Sequence, residues 1–259
     1  MATMQIAVIL WLGTVALLPA AMWALSAAVR GRRLSAELAR KLLHVGGGIV
    51  LLVLPVQSEA TVSFFGLLAA VGVWFYVMRR FVPLRRCFGA ALYSVPRSSR
   101  GELFYLCGIG ATGLIAAGDR QRFLLSLAIL VFADSAAAVI GMCVIRRHEI
   151  GRSRKSVEGC TAFFVVALIC ATVSRWCNDP VSSGGQVLLF AVPLACLCTV
   201  LEACGRAGFD NFLVPVGAAC LIPLLQAATP PALAFLASAM LTLVAVAVLT
   251  LRYKVRQTQ

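Results

Sequence analysis

Asp134 is the residue whose position most strongly suggests chemistry. It lies near the middle of a long apolar segment, where a charged carboxylate costs about 2.5–3.5 kcal/mol and needs a partner or a hydrated cavity. In a helix, Asp134 shares one face with Ala137, Ala138 and Gly141. A carboxylate bordered by small residues could admit a metal-bound phosphate, or the same face could pack against another helix.

The segment that follows is suited to binding phosphate. Ser156 is placed to cap a helix N-terminus, whose free N–H groups and positive dipole attract phosphate. Glu158 would lie in the first turn of that helix. The same segment contains Arg152, Lys155 and Gly159. An ordinary basic loop with a good helix cap would explain this pattern equally well.

Other polar residues lie at the ends of apolar segments. Glu202 is followed by Asp210 and Asn211, and Asp210 could act either in a site or as the cap of the next helix. His44 follows Lys41 by three residues, so the two share a helical face, although a single His here is typical of a structural hydrogen-bonding residue. Two further candidates at segment ends are Arg40 and Glu102.

Together these residues would suit the binding of Mg²⁺ and nucleotide phosphates. Mg²⁺ in proteins takes one or two carboxylates together with phosphate oxygens, and phosphoryl transfer depends on positioning and charge more than on covalent chemistry. If the helix of Asp134 is regular to residue 145, Asp134 would lie about 16 Å deeper than the groups at the segment ends. A break at Gly141 would shorten that gap.

The chain that carries these residues is too apolar for a soluble domain. Of its 259 residues, 61% are hydrophobic and 13% are charged, against about 45–50% and about 25% in soluble proteins. The bilayer must therefore act as its solvent. The sequence predicts an all-α, polytopic membrane protein, a single helical domain over 1–259, with nine spans: 5–29, 42–56, 60–78, 103–118, 123–145, 157–173, 187–201, 211–228 and 231–251.

The cations predict how this bundle is oriented. Loops after odd-numbered spans hold 20 of the 23 Lys and Arg residues, and the opposite side holds Arg120, Arg122 and Arg175. The positive-inside rule then places the N-terminus outside, and the C-terminus and the polar segment ends in the cytoplasm. This distribution accounts for the net charge of +13. We expect no nucleic-acid partner, because there is no basic module with interleaved aromatic residues.

In this order, the polar segments resemble the polyprenol/phytol/dolichol kinase family. This family includes CTP-dependent diacylglycerol kinases and is related to phosphatidate cytidylyltransferases. The resemblance covers about residues 37–228. It rests on four motifs: Arg40-Lys41-x-x-His44, Asp134-x-x-Ala137-x-x-x-Gly141, Gly151-Arg152 with Lys155-Ser156-x-Glu158-Gly159, and Asp210-Asn211-x-x-Val214-Pro215.

The resemblance implies transfer of a phosphate from CTP or ATP to the hydroxyl of a lipid alcohol, either an isoprenoid alcohol or diacylglycerol, with Mg²⁺ as cofactor. It implies catalytic roles for Asp134, Lys155, Glu158 and Asp210. The implied metal ligands are Asp134, Glu158 and Asp210, with Glu202 as a further candidate. The implied nucleotide- or phosphate-binding residues are Lys41, His44, Gly141, Arg152, Ser156, Gly159 and Asn211.

Two other functions fit a bundle of this kind. One is a nucleotidyltransferase that makes a CDP-lipid, but the Lys/Asp run that ends in an Asp-Arg-x-Asp-like cluster in cytidylyltransferases is missing here. The other is a transporter or a lipid-binding bundle without enzymatic activity. A transporter predicts paired pseudo-repeats around a site that is open to both sides, whereas the polar residues here gather at one mouth.

Overall fold

Helices dominate the computed structural model, which describes residues 2–53, 61–94, 100–145, 148–150 and 155–257. The long helices are α1 (Ala2–Arg30), α2 (Ala36–Val53), α3 (Thr61–Arg80), α6 (Gly101–Ala116), α9 (Val157–Asn178), α10 (Gly184–Cys204), α11 (Asp210–Ala227) and α12 (Pro230–Gln257). One further long helix is made of α7 (Arg120–Ala128), a π-helical turn (Ile129–Ala133) and α8 (Asp134–Cys143).

Each predicted span coincides with one of these helices in the described part of the chain. Six helices in that part are long and apolar enough to cross a membrane: α1, α3, the α7–α8 helix, α9, α10 and α11. The chain is therefore a polytopic helical membrane protein. The count of nine spans and the orientation of the bundle stay predictions.

Smaller elements between the spans were not predicted from the sequence. The short helices α4 (Val82–Phe88) and α5 (Ala90–Tyr93) follow α3, and a two-stranded antiparallel hairpin joins β1 (Glu149–Ile150) to β2 (Lys155–Ser156). Helix α2 also begins before its predicted span, at Ala36. The predicted span begins only after the charged residues, because charges end an apolar segment. These residues are nevertheless good helix formers, so the helix itself begins before the span.

The α7–α8 helix lies between two hydrophobic clusters. One of its faces, including Ile129 and Ala133, packs with α9, α10 and α11, and another, including Leu130 and Val131, packs with α2, α3 and α6. All four residues are fully buried. Because Asp134 directly follows this turn, the fold holds it in the interior of the bundle, next to the residues that join the two clusters.

Glycines allow two neighbouring helices to approach this centre closely. A Cβ atom at Gly48 of α2 would lie 2.2 Å from the Val131 side chain, and one at Gly108 of α6 would lie 2.4 Å from the backbone oxygen of Asn211. Any larger residue would push these helices apart. The two glycines therefore bring α2 against the π-helical turn and α6 against the start of α11.

Candidate active site

Helix α2 supplies a cation to Asp134. The Lys41 ammonium group donates to the Asp134 carboxylate and also, at 3.2 Å, to the backbone oxygen of the same residue. His44 Nε2 lies 3.5 Å from the Asp134 carboxylate and 3.3 Å from the backbone oxygen of Leu130 in the π-helical turn. Lys41 and His44 therefore use their shared helical face to hold Asp134 in one position.

A second ion cluster forms where β2, α10 and α11 meet. The Lys155 ammonium group donates to the carboxylates of both Glu202 and Asp210. Burial by itself lowers the pKa of Lys155, but Glu202, Asp210 and Asp134 together raise that pKa above its ordinary value. The ammonium group is therefore charged at neutral pH and offsets part of the negative charge of the three acids.

Asp134, Glu202 and Asp210 form a compact three-carboxylate cluster. One oxygen from each can be chosen so that all three lie within 4.8 Å of one another. The residues are 5%, 3% and 8% exposed. Among the described residues, Glu202 Oε2 and Asp210 Oδ1 are buried and have no hydrogen-bond partner. Buried carboxylate oxygens are normally paired, so this donor set fits a divalent cation, and Mg²⁺ prefers such oxygen ligands.

A cavity of about 220 Å³ borders the three-carboxylate cluster. The small-residue face predicted in the sequence lines it, including Ala137, Ala138 and Gly141. The cavity also contains a helix N-terminus, where Ser156 caps α9 by accepting from the backbone N–H of Gly159 at 3.1 Å. The predicted cap is thus confirmed. The other polar residues that line the cavity are Glu37, Arg40, Lys41, Lys155 and Asn211.

The predicted difference in depth between Asp134 and the other groups is wrong. The carboxylate oxygens of Asp134 and Asp210 lie within 4.8 Å of each other. The hairpin between α8 and α9 returns the chain, so that Gly159 packs beside Ala137, where an added Cβ would lie 3.0 Å from the Ala137 oxygen. The first turn of α9 therefore lies beside α8 at the level of Ala137, one helical turn along α8 from Asp134. Helix α8 is unbroken at Gly141 and ends at Cys143.

Asp210 does not cap a helix. It is the first residue of α11, and no side-chain cap is present among the described residues at that end. Its carboxylate instead accepts from Lys155. Asn211, the next residue, is also buried, and its Nδ2 donates to the backbone oxygen of Gly101 at 3.1 Å. This bond ties the start of α11 to the start of α6.

Two of the remaining candidates, Glu158 and Glu102, pair with residues outside the three-carboxylate cluster. Glu158 contacts Nδ1 of His148 at 2.5 Å and is not among the residues that line the cavity, so the described structure does not support it as a metal ligand. Glu102 pairs with Arg79 at 2.6 Å. Arg40 pairs with Glu37 at 2.6 Å and lines the cavity. Arg152 lies outside the described residues.

Sequence reasoning overlooked some of the residues that position the site. Tyr105 packs its ring on His44, with 4.4 Å between ring centroids, and its hydroxyl donates to the His44 backbone oxygen. Gly108 permits the close contact of α6 with α11 described above. It lies in an apolar segment where any small residue looks alike. Tyr105 carries the one pattern that could have revealed it, a hydroxyl within an apolar helix that needs a partner.

Comparison with known proteins gives one informative relative. A protein named phytol kinase from Synechocystis sp. is 30% identical to the chain over 189 residues, which cover 72% of this chain and 78% of the relative. No family model matches the chain. No solved structure matches it either.

Proposed function

The chain belongs to the polyprenol/phytol kinase family, and on this premise we propose that it transfers a phosphate from CTP or ATP to the hydroxyl of an isoprenoid alcohol such as phytol. The observation that carries the proposal is the three-carboxylate cluster with its two lysines beside one cavity. Phosphoryl transfer requires this combination of metal ligands and cations in a confined space.

Glu202 and Asp210 are the proposed ligands of Mg²⁺. The support is the orphaned oxygen on each of these two side chains in the described structure. When bound, Mg²⁺ would neutralise charge on the phosphate oxygens of the donor and of the transition state. We expect the Lys155 ammonium group, which now bridges Glu202 and Asp210, to turn to a phosphate oxygen of the donor.

The phosphates of the donor would lie in the cavity between α2, α8 and α9. Lys155 and Arg40 supply positive charge there, and Lys41 lines the same wall. The N-terminus of α9 adds free N–H groups. The small side chains of the α8 face leave room for the phosphates.

Asp134 is the proposed acceptor of the hydroxyl proton. The alcohol oxygen would attack the γ-phosphorus, the bond from that phosphorus to the bridging oxygen would break, and the nucleoside diphosphate would leave. The proton of the hydroxyl would pass to the Asp134 carboxylate. Lys41 and His44 hold that carboxylate in place, as a group that orients a nucleophile requires.

Transfer of labelled phosphate tests this function. The purified protein in lipid vesicles is incubated with Mg²⁺ and phytol, dolichol or diacylglycerol, and with CTP or ATP labelled at either the α- or the γ-phosphate. We expect γ-label in the lipid product and a complete loss of transfer when EDTA removes Mg²⁺. Appearance of α-label in lipid would instead indicate a nucleotidyltransferase. Absence of both labels from the lipid with every alcohol would overturn the proposal.

A further inference from the structure

A second cavity, lined mainly by apolar side chains, adjoins the polar one. It has a volume of about 100 Å³ and lies between α1, α2, α3 and α6. Its apolar walls include Leu18, Leu43, Val50, Val71 and Leu106. Polar residues stand among this lining, and two of them, Arg40 and Asn211, also line the polar cavity. The two cavities therefore meet at these two side chains.

The apolar cavity also adjoins a crevice between α1 and α3. This crevice has a volume of about 220 Å³, and it shares Leu18 and Val71 with the cavity. Its other walls are apolar, and Val73 on α3 is 61% exposed. In a membrane protein, exposed apolar side chains on a spanning helix face lipid. The crevice and the apolar cavity share wall residues, and together we call them the apolar path; at its inner end the path shares wall residues with the polar cavity.

We infer that this path binds the hydrocarbon chain of the acceptor alcohol, which enters from the bilayer between α1 and α3. Its hydroxyl would then reach the boundary formed by Arg40 and Asn211, next to the cavity that contains Asp134. The inference rests on the proposed kinase function. It adds the route of the acceptor and the residues that select it.

The size of the cavity selects a single chain. An apolar cavity of about 150 Å³ binds one benzene ring, so about 100 Å³ admits the first carbons of one branched chain. The rest of the chain would lie in the crevice and the bilayer. Two acyl chains attached next to the hydroxyl do not fit, and we therefore expect single-chain alcohols to be accepted and diacylglycerol to be rejected.

Two neighbouring glycines of α2 provide a matched test. Gly47 lines the apolar cavity, and Gly46 is exposed and is not among its lining residues. An added Cβ at either position meets no described atom within 4 Å. Gly47→Phe would therefore fill the cavity, and Gly46→Phe makes the same chemical change outside it.

Both variants are assayed for phosphorylation of phytol and of the five-carbon alcohol prenol. We expect Gly47→Phe to raise the KM at least about tenfold for both alcohols, because the five carbons of prenol would occupy the same cavity as the first carbons of phytol, and we expect Gly46→Phe to match the wild type with both. Equal use of phytol by the two variants would overturn the inference. So would phosphorylation of diacylglycerol as efficient as that of phytol.

Photolabelling separates this inference from the proposed function. Wild-type protein in vesicles is irradiated with a diazirine-bearing isoprenoid alcohol, and the labelled peptides are identified by mass spectrometry. We expect labels on α1, α2, α3 or α6 that excess phytol removes and that Gly47→Phe weakens. Labels confined to other helices would overturn the proposed path. If the protein shows the expected labels but has no kinase activity, only the proposed function is overturned.

Discussion

At the scale of single residues, the site combines three acids with two lysines that have different surroundings. Lys41 is fully enclosed and pairs with Asp134, whereas Lys155 is partly accessible and bridges Glu202 and Asp210. A buried ion pair contributes little net stability, but removing one partner leaves an uncompensated charge. Because Lys41 is enclosed with Asp134, we assign it to positioning. Because Lys155 is accessible from the cavity, we assign it to binding the donor phosphates.

The metal assignment predicts which acids control the requirement for Mg²⁺. Glu202→Gln and Asp210→Asn should each raise the Mg²⁺ concentration for half-maximal activity at least about tenfold, because each removes a charged oxygen ligand. Glu158→Gln is the control, since Glu158 pairs with His148 outside the cavity. Titration of phosphate transfer with Mg²⁺ measures the effect. An unchanged titration in both cluster variants, or an equal shift in Glu158→Gln, would refute the assignment.

The pair of Lys41 and Asp134 predicts strong coupling in stability. Lys41→Met should destabilise the protein by about 3–5 kcal/mol, because it leaves the Asp134 carboxylate buried without its cation. Adding Asp134→Asn to this variant should recover part of the loss, with a coupling free energy of about 0.5–3 kcal/mol. Thermal unfolding of the four proteins in one detergent measures the cycle. Strictly additive effects would show that the two side chains do not interact.

At the scale of helices, the site depends on how closely α6 approaches α11. Gly108→Ala places a Cβ 2.4 Å from a backbone oxygen of Asn211, and backbone cannot yield as a flexible side chain does. We expect a loss of about 1–3 kcal/mol in stability and lower activity, because Asp210 and Asn211 move with the start of α11. Thermal unfolding and initial rates measure both effects.

The control for that substitution is Gly46→Ala in α2. An added Cβ at Gly46 meets no described atom within 4 Å, and alanine favours a helix by up to about 1 kcal/mol over glycine. Stability should therefore stay equal or rise. If Gly108→Ala proves as stable and as active as Gly46→Ala, the close approach of α6 and α11 is not required.

At the scale of helices, some features of the site could be predicted from the sequence and others could not. The face shared by Asp134, Ala137 and Gly141 follows from helical periodicity, and the cap at Ser156 follows from a hydroxyl residue at the start of an apolar segment. Both are confirmed. The placement of Glu158 does not follow, because adjacent residues lie about 100° apart around a helix. Gly159 faces α8, and Glu158 consequently turns toward His148.

Features that depend on the path of connecting segments could not be predicted. The hairpin of β1 and β2 returns the chain beside α8, and this path places Lys155 where it contacts Asp210. The same path brings Glu202, a secondary candidate in the sequence, into contact with Lys155. The π-helical turn before Asp134 could not be predicted either. The segment is continuously apolar, so its sequence pattern looks the same with or without an extra residue in one turn.

At the scale of the whole molecule, the distribution of cations predicts that the C-terminus is cytoplasmic. Green fluorescent protein fused after Gln259 should fluoresce in a bacterial host, and alkaline phosphatase fused there should be inactive. Fusions after Asp119, in a predicted outer loop, provide the reversed control. The opposite pattern, with fluorescence in the loop and active alkaline phosphatase after Gln259, would contradict the predicted orientation and would move the site to the other side of the membrane.

The most direct test of phosphate transfer at the three-carboxylate cluster compares the wild type with Asp134→Asn. Both proteins, shown by thermal unfolding in detergent to be folded at the assay temperature, are placed in vesicles with phytol, Mg²⁺ and γ-labelled CTP or ATP, and the initial rate of labelled phytyl phosphate is measured. We predict transfer by the wild type and a rate at least about a hundredfold lower in Asp134→Asn, because the proposed proton acceptor is lost. A variant that transfers phosphate at the wild-type rate would show that the reaction takes place elsewhere.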